Sequence, residues 1–418
     1  MNVLIKSARI IDQNSDHHLQ TRDILIEKGT ITNIAENISN PKNYKEVILE
    51  NLHVSPGWFD SSVSFGEPGY EERETLLHGL EVAAKSGFTA VAVNPNTNPV
   101  IDHKASVEFL KNKAAGQAVE LYPIGSLTQR SEGVELAELY DMKNSGAVAF
   151  GDYNKAISNA NLMKIALLYG QNFDGLILSF PQDKNISALG FVNESVNSTR
   201  LGLKSIPALA EELQIARDLF ILEYTGGKLH IPAITTVKSV KLIKEAKKKG
   251  LKVSCSVTPH HLTLTDDELR TFDANYKVTP PLRSKKDNKA LQKGLKDGTI
   301  DMITTDHNPI DIENKNLEFE KALYGTIGLE SFLGSLLKVL DLETVVSNIT
   351  EKPRKVFGIP VPAVRTGEKA DLTLFDPEKE YIFEEKDILS ASKNSVFLGK
   401  EFKGSAFGIF SNNQLVLK

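Results

Sequence analysis

Short apolar runs alternate with amphipathic segments through the middle of the chain, from about His53 to Val364. Eight such runs can be counted: Val54–Phe65, Thr89–Pro95, Glu120–Thr128, Ala147–Asp152, Gly175–Phe180, Lys228–Thr235, Lys252–Pro259 and Ile300–Asp306. Each run is continuously hydrophobic, as expected of a strand that is covered on both faces. Helical periodicity follows in Glu71–Ser86, Ala156–Tyr169, Ile206–Glu223 and Val237–Lys249. This alternation predicts an α/β fold, a closed (β/α)8 TIM-like barrel.

The main alternative is an open, doubly wound parallel sheet. Such sheets commonly carry a glycine-rich phosphate-binding turn after the first strand. The corresponding segment here, Ser64-Phe65-Gly66-Glu67-Pro68-Gly69, lacks the G-x-G-x-x-G spacing, so the barrel is favoured. Nor does the chain contain a P-loop, an H-E-x-x-H motif or a G-x-S-x-G motif.

Both ends of the chain have the pattern of short strands and tight turns. The strand-like runs are Met1–Ile11, Asp23–Glu27, Thr30–Ile34, Asp371–Asp376, Ser395–Leu398 and Gln414–Leu417. Lys28-Gly29 separates two of them and is a hairpin signal. We therefore predict one small composite β domain, built from residues 1–52 and 365–418, beside a barrel formed by residues 53–364. Trp58 and Phe59 begin the first barrel run and are expected in the barrel wall or its lower end, away from any pocket.

Composition excludes several classes of partner. The 418 residues are 41% hydrophobic and 25% charged, as in ordinary folded proteins. The net charge of -5 provides no basic surface for a phosphate backbone, so no nucleic-acid partner is expected. No apolar run approaches the roughly 20 residues that span a bilayer, so no membrane partner is expected either. The single cysteine, Cys255, fits a reducing, cytoplasmic location and excludes a thiolate metal cluster.

Reacting groups of such barrels lie at the carboxyl ends of the strands. Those segments and other short motifs follow one another along the chain: Phe59–Tyr70, Val93–Pro99, Gly146–Phe150, Arg200–Leu203, Val257–Leu262, Thr279–Arg283, Ile303–Pro309, Gly325–Glu330 and Gly367–Leu372. Together they resemble dihydroorotases of the amidohydrolase superfamily, in the long form with a composite β domain.

The resemblance implies reversible hydrolysis of the ring amide of dihydroorotate, in which one or two zinc ions generate a hydroxide and polarise the carbonyl. It also implies four ligand histidines, whose positions here are Ser62, Ser64, Phe180 and Ala233. Asp152 matches the bridging acidic ligand, and Asp306 matches the metal-bound aspartate that serves as general base. Two carboxylates fall short of the three protein ligands usual for catalytic zinc, so no metal cofactor is expected. Without a dication, the two carboxylates are expected to lie close together and repel, or one of them is expected to be protonated or paired with a basic side chain.

Substrate contacts implied by the resemblance are only partly present. Gly66 stands where an arginine would clamp the substrate carboxylate, and Thr279 replaces the asparagine of an N-P-P-L-R loop. Asn96 and His307 remain at positions that hold substrate in the family, and Arg283 would complete a polar lining.

Several of these polar residues also have purely structural explanations. Asn96 lies in an Asn- and Pro-rich turn, and Asp306 could cap the backbone after the last strand. His260 and His261 precede an apolar helix start, and His230 lies inside its strand rather than at the end, so all three are expected to pack or hydrogen-bond in the interior.

Three functions are therefore considered. The first is a noncatalytic dihydroorotase-like protein of pyrimidine biosynthesis that binds aspartate transcarbamoylase or an active dihydroorotase, and that forms a homo-oligomer. Noncatalytic chains of this kind hold that transcarbamoylase together, so the resemblance implies the partner. The second is an active dihydroorotase, or another cyclic-amide hydrolase, with a rebuilt site. The third is a small-molecule sensor lined by Asn96, His307 and Arg283.

Overall fold

The structure, a computed structural model, describes residues 1–418. Its strands are β1 (Val3–Ile10), β2 (Thr21–Glu27), β3 (Thr30–Ala35), β4 (Lys45–Val47), β5 (His53–Pro56), β6 (Trp58–Val63), β7 (Phe88–Val93), β8 (Glu120–Gly125), β9 (Ala149–Phe150), β10 (Leu176–Leu178), β11 (Val192–Asn193), β12 (Ser205–Ile206), β13 (Lys228–Ile231), β14 (Val253–Val257), β15 (Met302–Ile303), β16 (Leu372–Ile382), β17 (Glu401–Ser411) and β18 (Gln414–Leu417).

The α-helices are α1 (Leu76–Lys85), α2 (Lys104–Lys113), α3 (Leu139–Asn144), α4 (Ala160–Gly170), α5 (Lys184–Ser187), α6 (Val196–Leu201), α7 (Ala208–Thr225), α8 (Val237–Lys248), α9 (Pro259–Thr263), α10 (Lys285–Lys296), α11 (Ile312–Lys315), α12 (Phe332–Leu336), α13 (Leu342–Ser347) and α14 (Glu351–Phe357). Short 3-10 turns occur at Gln129–Ser131, Gln171–Phe173, Asp266–Thr271, Ala274–Tyr276 and Glu385–Asp387. No helix combines the length and the apolar character that crossing a membrane requires.

Eight parallel strands form the barrel. They pair in the order β6, β7, β8, β9, β10, β13, β14 and β15. A parallel bridge between Val63 and His307 joins the first strand to the end of the last, and the Ser64 N–H donates to the His307 carbonyl at 2.7 Å. Seven of the eight barrel strands lie within the apolar runs of the sequence, and β7 begins one residue before its run, at Phe88. The predicted barrel is therefore confirmed.

Both ends of the chain contribute to a second sheet. Its strand order is β18, β17, β16, β5, β1, β2 and β3, with β4 also paired to β1. The hairpin expected at Lys28-Gly29 joins β2 to β3, and both turn residues have positive φ. The strand expected at Ser395–Leu398 is wrong. That segment forms turns, and Val396 and Phe397 are apolar because they pack against Val278 and Leu282 of the barrel loops.

The boundary between the two parts differs from the prediction at the amino-terminal side. The residues His53–Pro56 form β5, which pairs with β1 and β16 in the terminal sheet, so the barrel begins at Trp58 and not at His53. One apolar run covers two strands because the chain changes sheets at Gly57 without any polar residue. A Cβ at Gly57 would lie 1.9 Å from Asp371 Oδ1 and 2.0 Å from Thr89 Oγ1, so glycine is required at this crossing.

Aromatic packing joins the terminal sheet to the barrel. The Trp58 ring lies 5.5 Å from Phe375 of the terminal sheet and 5.6 Å from Phe332 of α12. The Phe59 ring packs edge-on against Phe357 at 5.5 Å, within the apolar cluster that fills the barrel interior. Neither residue lines the pocket described below, as expected. This packing fixes the strands whose opposite ends carry the candidate site.

Candidate functional site

A small cavity lies at the carboxyl ends of the barrel strands. Its polar lining comes from β6, from the loops after β7 and β9, and from the ends of β13, β14 and β15: Ser61, Ser62, Asn94, Asp152, Tyr153, Asn154, His230, Ser256 and Asp306. Phe180, Pro232 and Ala233 contribute apolar surface. The free volume is about 30 Å³, which is room for about two water molecules. The cavity contains all the ligand positions implied by the sequence except Ser64.

Asp152 is held by the loop that follows β8. Its Oδ1 accepts hydrogen bonds from the Ser126 hydroxyl at 2.8 Å and from the Thr128 N–H at 2.9 Å. Its Oδ2 accepts a short hydrogen bond from the Thr128 hydroxyl. Both oxygens of the carboxylate therefore already accept hydrogen bonds from the neighbouring loop, Oδ1 from its backbone and Oδ2 from a side-chain hydroxyl.

Asp306 takes part in a different network, on the β6 side of the cavity. The Ser62 hydroxyl donates to Asp306 Oδ1 at 3.0 Å, and the Asn94 amide donates to Ser62 Oγ at 3.0 Å and to Ser64 Oγ at 3.3 Å. Ser62 and Ser64 are thus linked to each other through the Asn94 amide. Their hydroxyls do not provide the pair of nitrogen ligands that two histidines would. Asp306 adopts a left-handed conformation with φ of 49°.

Burial raises the pKa of Asp306 to about 6, while Ser62 and Tyr153 partly lower that pKa. Tyr153 lies beside the carboxylate, although its hydroxyl makes no hydrogen bond of regular geometry. The acidic neighbour that further raises this pKa is Asp60, not Asp152. Asp152 and Asp306 therefore belong to two separate hydrogen-bond networks. The expected close repulsion between these two carboxylates is not found.

Asp60 is a buried acid that the sequence analysis missed. It accepts hydrogen bonds from the Thr304 hydroxyl at 2.5 Å, from the Thr305 N–H at 3.1 Å and from the Ser62 N–H at 3.1 Å. Burial raises the pKa of Asp60 to about 6, and these donors lower it. Because side chains two apart on a strand share a face, the spacing of Asp60 and Ser62 was a usable signal.

The other two ligand positions carry side chains that are built into the interior. Phe180 is buried after β10, and its ring side chain has no metal-ligating atom. Ala233 has φ of 50°, and its N–H donates to Ser256 Oγ at 3.1 Å. His230, three residues earlier, is the one imidazole in the cavity. Its Nδ1 lies 2.9 Å from Ser254 Oγ, its Nε2 lies 3.3 Å from Ser256 Oγ, and burial lowers its pKa to about 3, so the ring is neutral.

A zinc ion does not fit this donor set. No three histidine, cysteine, aspartate or glutamate side chains are arranged to hold a metal ion anywhere in the chain. The cavity offers two carboxylates in separate networks and one imidazole already hydrogen-bonded to serines. Catalytic zinc usually has three protein ligands around an open position. The side chains of the cavity therefore do not provide the ligands of the zinc centre that the resemblance implies.

Among the retained substrate positions, Arg283 has internal partners. Its guanidinium donates to Asn193 Oδ1 at 2.8 Å, to the Ile206 carbonyl at 2.9 Å and to Thr235 Oγ1 at 3.1 Å, and it lies 3.9 Å from Glu211. It does not line the cavity. Arg283 thus connects three separate segments of the chain through internal hydrogen bonds.

His307 and Asn96 differ from Arg283 because each has a buried polar atom without a partner. The Gly328 N–H donates to His307 Nδ1 at 3.1 Å, so the neutral ring carries its hydrogen on Nε2, which contacts no acceptor. Asn96 Oδ1 is also buried without a donor. By contrast, His261 is fully engaged: its Nε2 donates to the Pro280 carbonyl at 2.9 Å, and its Nδ1 accepts from the Thr258 hydroxyl at 2.7 Å.

The loop after β6 closes on itself where the family arginine would stand. The Gly66 N–H donates to the Glu74 carbonyl at 2.9 Å, and the Tyr70 N–H donates to the Gly66 carbonyl at 2.8 Å. A Cβ at Gly66 would lie 1.8 Å from the Tyr70 carbonyl oxygen. No side chain fits at this position without a change in the loop, so the loss of the arginine is accompanied by a compact backbone.

Solved structures with the same architecture include hydantoinases and dihydropyrimidinases. L-Hydantoinase (dihydropyrimidinase) from Arthrobacter aurescens superposes with a TM-score of 0.87 at 23% identity, over 100% of this chain and 96% of that one. Dihydropyrimidinase from Brevibacillus agri superposes with a TM-score of 0.84 at 19% identity, over 100% and 95% of the two chains. At such identities the likeness shows the fold alone.

Family models give the class of the protein. The dihydro-orotase-like model matches residues 52–239, and the amidohydrolase family model matches residues 188–405, so the barrel is that of an amidohydrolase. The dihydroorotase of Geotalea daltonii is 39% identical over 426 residues, covering 100% of both chains. That of Citrifermentans bemidjiense is 40% identical over 424 residues, covering 100% of this chain and 99% of its own. The chain belongs to the dihydroorotase family, whose enzymes act in pyrimidine biosynthesis.

The first test concerns the closed loop at Gly66. We expect Gly66→Ala to destabilise the protein by about 1–3 kcal/mol, because the added methyl group meets backbone that cannot rotate away. Gly170→Ala is the matched control, since its Cβ would meet Ile177 Cδ1 at 3.4 Å, an ordinary contact. Urea denaturation midpoints measure both. Equal stability of the two variants would contradict the closed loop.

The second test concerns the buried carboxylate of Asp306. Its pKa is about 6 in the folded protein against about 3.9 unfolded, so its ionisation opposes folding and its contribution to stability falls as the pH rises from about 4 to 6. Asp306→Asn removes this charge, and Asn tolerates positive φ. We expect the variant to be about 1–3 kcal/mol more stable than the parent at pH 7.5 and to lose that advantage near pH 4.

Urea midpoints across this pH range measure the difference, and the exposed Glu50→Gln serves as control. Because Asp60 titrates in both proteins, only the difference between parent and variant is informative. An Asp306→Asn variant that is less stable than the parent at pH 7.5 would refute this account of the site.

Proposed function

We propose that the chain is a noncatalytic member of the dihydroorotase family that acts as a structural or regulatory partner of aspartate transcarbamoylase. One observation carries the proposal. The positions of the four ligand histidines are Ser62, Ser64, Phe180 and Ala233, and at the barrel mouth these residues are built into hydrogen-bonded or apolar structure.

The absence of ligands for a zinc ion that would activate water supports the proposal that the chain does not hydrolyse dihydroorotate. Zinc lowers the pKa of bound water from 15.7 to about 7, which supplies hydroxide at neutral pH. Without it, Asp306 would have to activate water alone, and general-base assistance contributes only about 10²–10⁴-fold. Substrate binding is weakened as well, because Gly66 has no side chain to make the bidentate contact that an arginine would make with a substrate carboxylate.

The partnership rests on the family resemblance and on the integrity of the scaffold. Residues at the barrel mouth that no longer serve catalysis still hold the loops together, as Asp152 does for the loop after β8 and Arg283 for the loops around β12 and β13. A fold maintained in this way suits a protein that functions through its surface. The proposal places this chain in the cytoplasm, with the transcarbamoylase or with an active dihydroorotase.

A second candidate function is a small-molecule sensor that binds without turnover. The unpartnered His307 Nε2–H is a buried donor and Asn96 Oδ1 is a buried acceptor, and unpaired buried polar atoms are uncommon. Neither residue lines the cavity at the barrel mouth, so a small anion or amide would reach them only after a rearrangement of the loops. The relatives named dihydroorotase favour the remaining alternative, an active hydrolase, and the experiments below distinguish the three functions.

The direct test is turnover of dihydroorotate by the purified chain supplied with zinc, beside the dihydroorotase of Geotalea daltonii. We expect the relative to bind zinc and hydrolyse the substrate, and this chain to show neither equimolar zinc by mass spectrometry nor activity above background. Zinc-dependent turnover that is lost in Asp306→Asn would overturn the proposal. Dihydroorotate binding without turnover would favour the sensor.

Partnership is tested by mixing the full chain with aspartate transcarbamoylase of the same organism. We expect a complex by analytical ultracentrifugation, or a changed transcarbamoylase rate. A chain that neither binds that enzyme nor changes its rate would refute this part of the proposal, even if hydrolysis is absent.

Restoring the ligands provides a further prediction. The combined substitutions Ser62→His, Ser64→His, Phe180→His and Ala233→His are expected to create zinc binding without recovering hydrolysis, because Gly66 and Thr279 still lack the substrate contacts. Phe180→His alone is the control and should bind no zinc. Circular dichroism verifies folding of each variant. Recovery of full activity by these four changes would show that the substrate contacts are dispensable.

A further inference from the structure

An open groove lies beside the barrel mouth, separate from the cavity of the candidate site. Its walls come from residues 272–275, in the loop between α9 and α10, from residues 310–317, in the loop after β15, and from residues 391–394, before β17. The free volume of the groove is about 830 Å³. Binding sites for ligands commonly measure roughly 300–1,000 Å³. The groove and the cavity at the barrel mouth have no residue in common.

Three large apolar side chains of the groove are exposed. Phe272 is 49% accessible, Ile312 is 75% accessible and Leu317 is 44% accessible. Phe272 has φ of 54°, a conformation that is rare for an aromatic residue, and its N–H donates to the Leu269 carbonyl at 3.0 Å. Such a conformation persists only where the surrounding structure imposes it. The loop therefore holds Phe272 at the surface, and the groove offers apolar area that no other part of the chain covers.

The charged side chains that line the groove are mostly acidic. They comprise five acids and two lysines: Glu72, Asp273, Asp311, Glu313, Glu385, Lys315 and Lys393. Both lysines are engaged within the chain. The Lys315 ammonium donates to three backbone carbonyls and the Lys393 ammonium donates to two, at distances between 2.8 and 3.3 Å. Their charges are therefore directed to the backbone and not to the acids.

Three of the five acids have no ion-pair partner in the chain. Asp311 and Glu72 lie 3.4 Å and 3.9 Å from the Arg73 guanidinium, so these two share one cation. The other three, Asp273, Glu313 and Glu385, form no ion pair, and Lys386, which follows Glu385, pairs with Glu384. We call this surface the acidic groove, defined by its three free acids and its three exposed apolar side chains. Basic side chains of a partner would form ion pairs that the chain itself does not make.

Apolar and acidic side chains are neighbours on two walls of the acidic groove. Phe272 directly precedes Asp273, and Ile312 directly precedes Glu313. An occupant that satisfies both walls must therefore bring apolar and cationic groups together. A linear polyamine has the charges but no branched apolar group to cover Ile312 and Phe272. A peptide segment that carries leucine and lysine side chains has both, and amphipathic helices commonly bind in grooves of this kind.

We propose that the acidic groove is a docking site for a basic, apolar segment of a partner protein. Its lysine or arginine side chains pair with the three free acids, and its apolar side chains cover the three exposed ones. Complementary charges of this kind speed association and select the partner, while the apolar contacts retain it. The inference goes beyond the proposed function, because it depends neither on the loss of catalysis nor on the transcarbamoylase.

The test uses a short fluorescent peptide of leucine and lysine, with the leucines on one face of a helix, titrated with the full chain and followed by fluorescence anisotropy. We expect saturable binding that weakens as salt is added, because the ion pairs are exposed. The double variant Glu313→Lys with Glu385→Lys should bind about 10-fold more weakly. Glu50→Lys with Glu135→Lys is the control, since it reverses two exposed acids outside the groove. Equal binding by the two double variants would overturn the proposal.

A second variant keeps every charge of the groove and tests the apolar contacts. We expect Ile312→Ser to weaken binding of the same peptide about 10-fold. Ile48→Ser is the matched control, because Ile48 is 71% exposed in the terminal β domain, and it should bind as the parent does. A peptide with glutamate in place of lysine should not bind, and spermine should not displace the lysine peptide at equal concentration. Unchanged binding by Ile312→Ser, binding of the glutamate peptide, or displacement by spermine would each refute a basic, apolar occupant.

Discussion

The buried carboxylate of Asp60 joins the first barrel strand to the last, and the arrangement of the barrel mouth depends on that junction. Its oxygens accept from the Thr304 hydroxyl, from the Thr305 N–H and from the Ser62 N–H. A carboxylate in this interior is costly unless hydrogen-bonded, and the raised pKa of about 6 reflects that cost. The contacts bring the ends of β6 and β15 together, so that Ser62 meets Asp306 across the seam at 3.0 Å.

The two carboxylates at the mouth are hydrogen-bonded to neighbouring groups, whereas Ser61 Oγ, the Tyr153 hydroxyl and His307 Nε2 have no partner. In a metal centre, carboxylates and imidazoles converge on one point and leave a position open. Here Asp152 is directed to the backbone of one loop, and Asp306 to a serine on the opposite side of the cavity. A restored centre would have to break these internal bonds before forming new ones. The two carboxylates therefore do not converge on one point as metal ligands do, although the chain belongs to the dihydroorotase family.

The sequence predicted the barrel well because strands buried on both faces have an unmistakable apolar pattern. It failed where the cause of burial is not visible in the pattern. The run Val54–Phe65 divides at Gly57 between two sheets, and Ser395–Leu398 is apolar because it covers loops. Phe180 and Ala233 could be assigned from the resemblance alone.

The spacing of Asp60 and Ser62 indicates a shared strand face, but the partners of Asp60 and Tyr153 could not be predicted, because they depend on contacts between residues far apart in the chain. The partner of Asp60 across the seam, Thr304, is 244 positions away. The spacing of neighbouring residues in the sequence does not indicate a pairing over this distance. The same holds for Arg283, whose partners Asn193 and Ile206 lie on a distant part of the chain and give it internal hydrogen bonds.

Helix α7 connects the outer face of the barrel with the altered site. On its inner side, Asp218 accepts from the Ser179 hydroxyl at 2.6 Å, one residue before Phe180. Glu211 accepts from the Thr235 N–H at 2.8 Å, two residues after Ala233. Burial raises the pKa of both acids, and their hydrogen bonds lower it again. Phe180 and Ala233, the two positions that the resemblance assigns to ligand histidines, therefore lie close to residues anchored on α7, so this helix holds two parts of the cavity wall in place.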